Sequence, residues 1–321
     1  MIIIKHLFVS LLTIFGLYVI GMVTLKNIKY KGKPIIYITN EYYTWKGGDT
    51  YNKYQEFKNG IKNYDIVFVG SSRAYRGYSP FIFESAGYKA FNLGTSAQSI
   101  KNTYFVIKHY INSTNCKLLL IDVFAGSFAK SDLESTSDLI ENIESKNAAC
   151  DIALNNSDVR TMNMASLRLL TESDNSYYQN ADYTGKGYSM NPDSMSLQKQ
   201  EQYFAKIKLH DEKIEIDEEQ MEYFKNIVDL CRMKNIKVVL VYSPVSYFDN
   251  YKIHKPFINL LKQNIRKSNI IFYDYGKCDS INTAYHFYDN SHLNQAGVEI
   301  FNKQLINKLV KDKLLNKEES K

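Results

Sequence analysis

Five short apolar runs alternate with amphipathic stretches of ten residues or more, and this alternation most narrows what the chain can fold into. The runs are Asp65 to Val69 (DIVFV), Lys89 to Leu93 (KAFNL), Lys117 to Val123 (KLLLIDV), Lys237 to Tyr242 (KVVLVY) and Ile270 to Tyr275 (IIFYDY). Their apolar residues are nearly continuous, the pattern of strands buried on both faces. Helical periodicity runs from Ser99 to Ile111, Glu218 to Lys234, Pro256 to Lys267 and Asn294 to Leu315. The expected fold is therefore α/β, a three-layer doubly wound parallel sheet. Sites in such sheets lie outside the carboxyl ends of the strands. Chemistry is thus expected just after Val69, Leu93, Val123, Tyr242 and Tyr275.

Ahead of this domain, Leu7 to Leu25 form 19 consecutive positions without a charge. At about 1.5 Å per residue they nearly span a bilayer core of roughly 30 Å. With Lys5 before it and no convincing small-residue cleavage site after it, the segment reads as an uncleaved transmembrane signal-anchor over residues 1–25. Lys26, Lys29, Lys31 and Lys33 follow the span, and a literal charge count would keep the domain inside. The very short N-terminus favours export instead, with the domain on the extracytoplasmic side. Residues 26–62 read as a linker and 63–315 as one α/β domain. Within it, 128–216 are polar and break the alternation. A structureless loop of that length is unusual in a compact domain, so they read as an insertion after the third strand, a cap over the strand ends. Its Tyr177, Tyr178, Tyr183 and Tyr188 could stack on sugar rings, but packing is the plainer role.

Composition removes several alternatives. The net charge is +6, carried on a lysine-rich background with few arginines, and it does not argue for nucleic acid. Cys116, Cys150, Cys231 and Cys278 are far apart, which disfavours a zinc module or disulfide scaffold. His109, His210, His254 and His286 are too scattered to suggest a metal site. Neither a dinucleotide-binding nor a P-loop glycine pattern occurs, so no cofactor is expected.

Two short segments carry chemistry. Gly70-Ser71-Ser72-Arg73 follows the first strand and puts hydroxyls at its carboxyl end, where backbone N–H groups favour a developing negative charge. The bland alternative is a helix cap. Near the C-terminus, Asp289-Asn290-Ser291-His292 leads into the last helix. A spacing of three lets the carboxylate meet the imidazole Nδ1–H and leaves Nε2 facing outward, making the histidine a usable general base. Here too the bland alternative is capping, with an exposed histidine.

Together these segments resemble the SGNH/GDSL hydrolase superfamily. Three of its four blocks match: Gly70-Ser71-Ser72, Asn92-Leu93-Gly94 and Asp289-Asn290-Ser291-His292. The resemblance implies a flavodoxin-like strand order, Ser72 as nucleophile, His292 as base and Asp289 as its orienter. It implies backbone oxyanion donors at Gly94 and Ser72, with Ser71 the competing nucleophile. His286 is close enough to His292 to be a supporting residue, although a surface role is the simpler one.

The third block departs from the family. Where an asparagine is usual, this chain has Ile121-Asp122-Val123-Phe124-Ala125-Gly126. An ionised Asp122 accepts hydrogen bonds and would repel an oxyanion. Arg73 or a donor from the insertion could replace the asparagine, the hole could run on two backbone donors, or the domain could act mainly as a binder. Arg73 could equally hold a substrate carboxylate or phosphate, and plain surface charge is its bland alternative. Gly-Ser-Ser, the missing asparagine and the anchor look most like the envelope branch, which includes teichoic acid D-alanyl transfer and exopolysaccharide acetylation proteins. The implied function is that of an ester hydrolase or O-acyltransferase on an acylated carbohydrate polymer, working beside a multispanning membrane acyltransferase. The alternative is a non-catalytic carbohydrate-binding or assembly component.

Overall fold

A computed structural model of the chain describes residues 2–30, 33–34, 48–60, 63–129, 133–156, 158–170, 183–209, 215–246, 251–266 and 268–316. Tyr177, Tyr178 and much of the expected linker lie outside the described residues.

The expected strands form within a residue or two of their sequence limits: β1 (Tyr64–Val69), β2 (Ala90–Asn92), β3 (Cys116–Asp122), β4 (Lys237–Tyr242) and β5 (Ile271–Asp274). They make one parallel sheet in the order β2-β1-β3-β4-β5. Successive side chains of a strand point to opposite faces. Hence Val67 and Val69 enter one core while Ile66 and Phe68 enter the other, all fully buried. Each such side chain contributes about 1.5–3 kcal/mol relative to leaving it in water. This double burial is why the runs read as continuous apolar segments.

Helices cover both faces. The face holding Val67 carries α2 (Gly48–Asn59), α5 (Ile100–Tyr110), α10 (Glu218–Met233) and α11 (Tyr251–Ile265). The other carries α3 (Ser72–Gly77), α4 (Pro80–Ser85) and the closing α13 (Gln295–Lys311). Caps set several starts: Ser99, Asp217 and Asn294 each accept a backbone N–H of the first turn. Helix α11 begins before Pro256 rather than at it, with the proline exposed inside the helix.

Two domain expectations are corrected. Residues 26–62 are not wholly a linker, because α2 buries Tyr54 and Phe57 in the same core as the sheet. The 128–216 insertion is not simply a cap. Its α6 (Leu133–Asn142), α7 (Lys146–Asn156) and α8 (Val159–Leu170) pack Leu139, Ile140, Ala149, Ile152 and Ala165 into the main core. The following strap also reaches the strand ends. There Lys186 O accepts the Asn92 N–H at 3.0 Å, covering the exposed edge of β2, and Tyr75 O accepts the Ser189 N–H at 3.0 Å. The strap leads into α9 (Leu197–Leu209).

At the N-terminus, α1 (Ile2–Asn27) is long and apolar enough to cross a membrane. Ile3, Leu7, Phe8, Ile14 and Leu17 are each at least 60% exposed, so the protein itself supplies no apolar cover for these side chains.

Candidate active site

The chain leaves β1 through Gly70, at φ +141°. A Cβ here would adopt a backbone region that side chains rarely enter, and would lie 3.1 Å from the Cβ and carbonyl oxygen of Asp122. This glycine therefore permits a turn tight enough to start α3 against β3. Ser71 is the N-cap of α3, and its buried Oγ accepts the Arg73 N–H at 3.3 Å. Ser72 is the first helical residue and half-buried. The two hydroxyls thus divide their roles: Ser71 caps and Ser72 faces the histidine.

That histidine comes from a loop that closes on itself. A short helix, α12 (Thr283–His286), precedes it. Phe287 and Leu293 pair across the loop, and the Tyr288 N–H donates to His292 O at 2.9 Å. Inside it, Asp289 Oδ1 accepts the N–H groups of Ser291 and His292, both at 2.9 Å. His292 Nδ1 lies 2.8 and 2.9 Å from the two Asp289 oxygens, and Nε2 lies 2.8 Å from Ser72 Oγ. An ionised Asp289 can only accept, so Nδ1 donates to it and Nε2 is left to accept the Ser72 proton. Burial pushes the Asp289 carboxyl up. The His292 hydrogen bond and charge, with the two backbone donors, outweigh burial and bring it down to about 2. Because this lies below the ordinary 3.8, the stabilisation is fully present above that value and is lost as pH falls through about 2.

Asn92 joins the second block to the helix that starts at Ser72. Its Nδ2 donates to Ala74 O and Tyr78 O, both at 2.9 Å, and its Oδ1 accepts the Gly94 N–H at 3.0 Å. Gly94 was expected to offer that N–H to an oxyanion, but here it is engaged by Asn92. The glycine serves close packing instead: a Cβ would lie 2.9 Å from Ala74 Cβ and 3.0 Å from Tyr75 N. The Ser72 N–H, at the first position of α3, has no intrahelical partner by construction.

Beneath this loop lies Lys53, fully inside the protein, whose Nζ donates to Gly94 O at 2.6 Å. Burial pushes its ammonium down, while Asp49 and Asp138 act in the opposite sense. Burial likewise pushes Asp138 up, against hydrogen bonds from Thr50 and Asn142 and the charge of Lys53. Lys53→Met is expected to cost about 2 kcal/mol, because it strands a buried carbonyl and removes a compensating charge. Chemical denaturation of wild type and variant checks this, and a change below about 0.5 kcal/mol would count against it.

Arg73 is corrected from substrate contact to internal brace. It is 4% exposed, and one terminal nitrogen donates to Ser243 O at 2.9 Å and Ser243 Oγ at 2.7 Å. Its Nε lies 3.7 Å from Asp122 Oδ1, and its guanidinium faces the rings of Phe124 and Tyr242. Asp122 accepts the Tyr78 hydroxyl at 2.7 Å, and burial pushes its carboxyl up. The residue standing where the family has asparagine is therefore buried inside a polar network rather than aimed at an oxyanion.

His286 serves its turn, where Nδ1 accepts the Asn282 N–H at 2.8 Å. Tyr183 and Tyr188 are hydrogen-bonded to Glu56 and Gln295, each at 2.7 Å, and pack the strap. Among the described residues, no group of three or more His, Cys, Asp or Glu side chains is placed to hold a metal ion. Lys53, Asn92 and Ser243 were not anticipated as supports. For Ser243 a signal existed, since it follows β4 at a strand end.

No family model and no curated protein matches the sequence. Among solved structures, the chain is similar to a protein of Streptococcus pneumoniae provisionally named a platelet activating factor, at 9% identity and a TM-score of 0.47, covering 85% of this chain and 97% of that one. It is also similar to a GDSL-like lipase of Bacteroides thetaiotaomicron, at 12% identity and a TM-score of 0.41, covering 82% and 98%. A third, a protein of Bacteroides fragilis provisionally named an acylhydrolase, gives 16% identity and a TM-score of 0.40, covering 80% and 94%.

Proposed function

We propose that this chain is a membrane-anchored SGNH-type ester hydrolase or O-acyltransferase that works on acyl groups of a cell-envelope polysaccharide. The observation that carries the reading is the continuous relay from Ser72 Oγ through His292 to Asp289. Ser72 Oγ attacks the ester carbonyl carbon while His292 Nε2 takes its proton. The tetrahedral intermediate collapses to an acyl-serine, and the imidazolium returns the proton to the departing alkoxide. Water or a sugar hydroxyl then attacks the acyl-serine by the same steps in reverse. Asp289 keeps the imidazole in the required tautomer and offsets the charge it gains.

The length and apolar character of α1 support the anchor. The polymer and a multispanning acyltransferase partner rest on the motif pattern alone. A fluorophosphonate probe should label the wild-type protein at Ser72, and the protein should release acetate from p-nitrophenyl acetate.

One observation favours a second reading. With the Gly94 N–H engaged and the usual asparagine replaced, the donor set for an oxyanion is sparse. A non-catalytic carbohydrate-binding or assembly component would show neither labelling nor turnover while polymer acylation in cells still required the protein.

A further inference from the structure

The relay has a cationic corner that the steps above do not use. Arg76 follows Ser72 by four residues on α3, so the two side chains share one face of that helix. Its guanidinium carbon stands 5.3 Å from the centre of the Tyr75 ring and 6.0 Å from that of Tyr288. Tyr288 immediately precedes Asp289. From the insertion, Lys199 on α9 brings its Nζ to 4.9 Å from the same Tyr288 ring. The Ser189 bond to Tyr75 and the Met195 N–H bond to Phe287 O, at 2.8 Å, hold the strap against both sides of this corner.

The charges there do not balance internally. Burial disfavours the Arg76 charge, which is supported by a hydrogen bond with Tyr75 and by the carboxylate of Asp289. The Asp289 oxygens, however, are taken by the His292 ring and by the N–H groups of Ser291 and His292. Arg76 Nε is buried and has no hydrogen-bond partner among the described residues. A half-buried guanidinium beside two aromatic rings, part of it still open to solvent, suits a planar or tetrahedral oxyanion.

We propose that Arg76, with Lys199 at the rim, docks a carboxylate or phosphate carried by the ester substrate close to its scissile bond. The inference rests on the serine esterase reading for the word substrate, and it narrows the polymer to an anionic one. The tyrosines give the guanidinium a fixed orientation. The lysine, being exposed, draws the anion in more than it holds it.

The test separates binding from turnover. Full-length Ser72→Ala protein in detergent is titrated by calorimetry with 4-acetamidobenzoate and with neutral 4-acetamidobenzamide, stable analogues of an acetyl ester. The anion should bind about tenfold tighter at low salt, and Arg76→Gln in that background should erase the difference. Arg76→Lys should restore part of it, and Lys199→Gln should remove only about a twofold share. Phosphate is compared with carboxylate by repeating the titration with 4-acetamidophenyl phosphate. Equal binding of the charged and neutral amides, or a preference that survives Arg76→Gln, overturns the proposal. On the otherwise wild-type protein, the ratio of kcat/KM for 4-carboxyphenyl acetate over its methyl ester should fall with Arg76→Gln, mainly through KM. A merely structural role would depress both esters and leave the ratio where it was. If neither ester is turned over but anion-selective binding persists, the esterase reading fails and the docking site stands.

Discussion

Ser72→Ala is expected to lower the kcat for p-nitrophenyl acetate by about 10⁴-fold or more, and His292→Ala by a similar factor. The two groups act as one device, because the proton on Ser72 Oγ has its acceptor in His292 Nε2 at 2.8 Å. Removing either leaves the other with nothing to do, so the double variant should be little worse than each single one. Ser71→Ala provides the contrast. Its hydroxyl caps α3, so the variant should lose about 1 kcal/mol of stability while keeping most of its turnover. If Ser72→Ala keeps a tenth of wild-type activity, or if Ser71→Ala loses as much as Ser72→Ala, the nucleophile is misassigned. The sparse oxyanion donors bear on the absolute rate rather than on these ratios. A missing donor costs about 10²–10³-fold where the geometry demands it, so a slow wild-type enzyme is compatible with a strict dependence on Ser72.

The second large effect lies in the brace beneath Ser72. Arg73→Met is expected to destabilise the protein by about 3–5 kcal/mol, because it leaves Asp122 buried without its cation. Asp122 is 1% exposed and fixed by the Tyr78 hydroxyl, so it has no route to water. For a domain of this size the loss should lower the melting temperature by about 10 °C or more. Arg73→Met combined with Asp122→Leu should recover a large part of it, since an apolar pair of similar volume avoids the cost of desolvating two charges. Thermal unfolding of the full chain in detergent measures all three proteins. A loss below about 1 kcal/mol for Arg73→Met would show that the carboxyl is already neutral in the folded protein. Activity should fall alongside stability, because the Arg73 side chain also ties the helix that starts at Ser72 to Ser243 at the end of β4.

Much of the architecture was readable because it is local. A strand buried on both faces must be apolar at nearly every position, so DIVFV, KLLLID and KVVLVY announce themselves. Helix starts are written in single side chains such as Ser99, Asp217 and Asn294, whose oxygens reach only a few residues along the chain. The Asp289–His292 pair is equally local, set by a spacing of three within one closed loop. The same logic misled at α2. A helix with polar residues at most positions looks like linker when the core receiving Tyr54 and Phe57 is assembled from segments far along the chain.

By itself the sequence determined the α/β alternation, the apolar N-terminal helix and the two ends of the relay as separate motifs. Only the tertiary structure decided that Ser72 meets His292 across 220 residues, and that Ser71 does not. It alone turned Arg73 inward to Asp122 and Ser243, engaged the Gly94 N–H on Asn92, and set Arg76 beside the relay with its Nε unpartnered among the described residues. The physical reason is common to all of these. Periodicity and capping depend on neighbours a few residues away. Which polar group is desolvated, and which distant partner then satisfies it, is settled by how the β2-β1-β3-β4-β5 sheet brings its strand ends together.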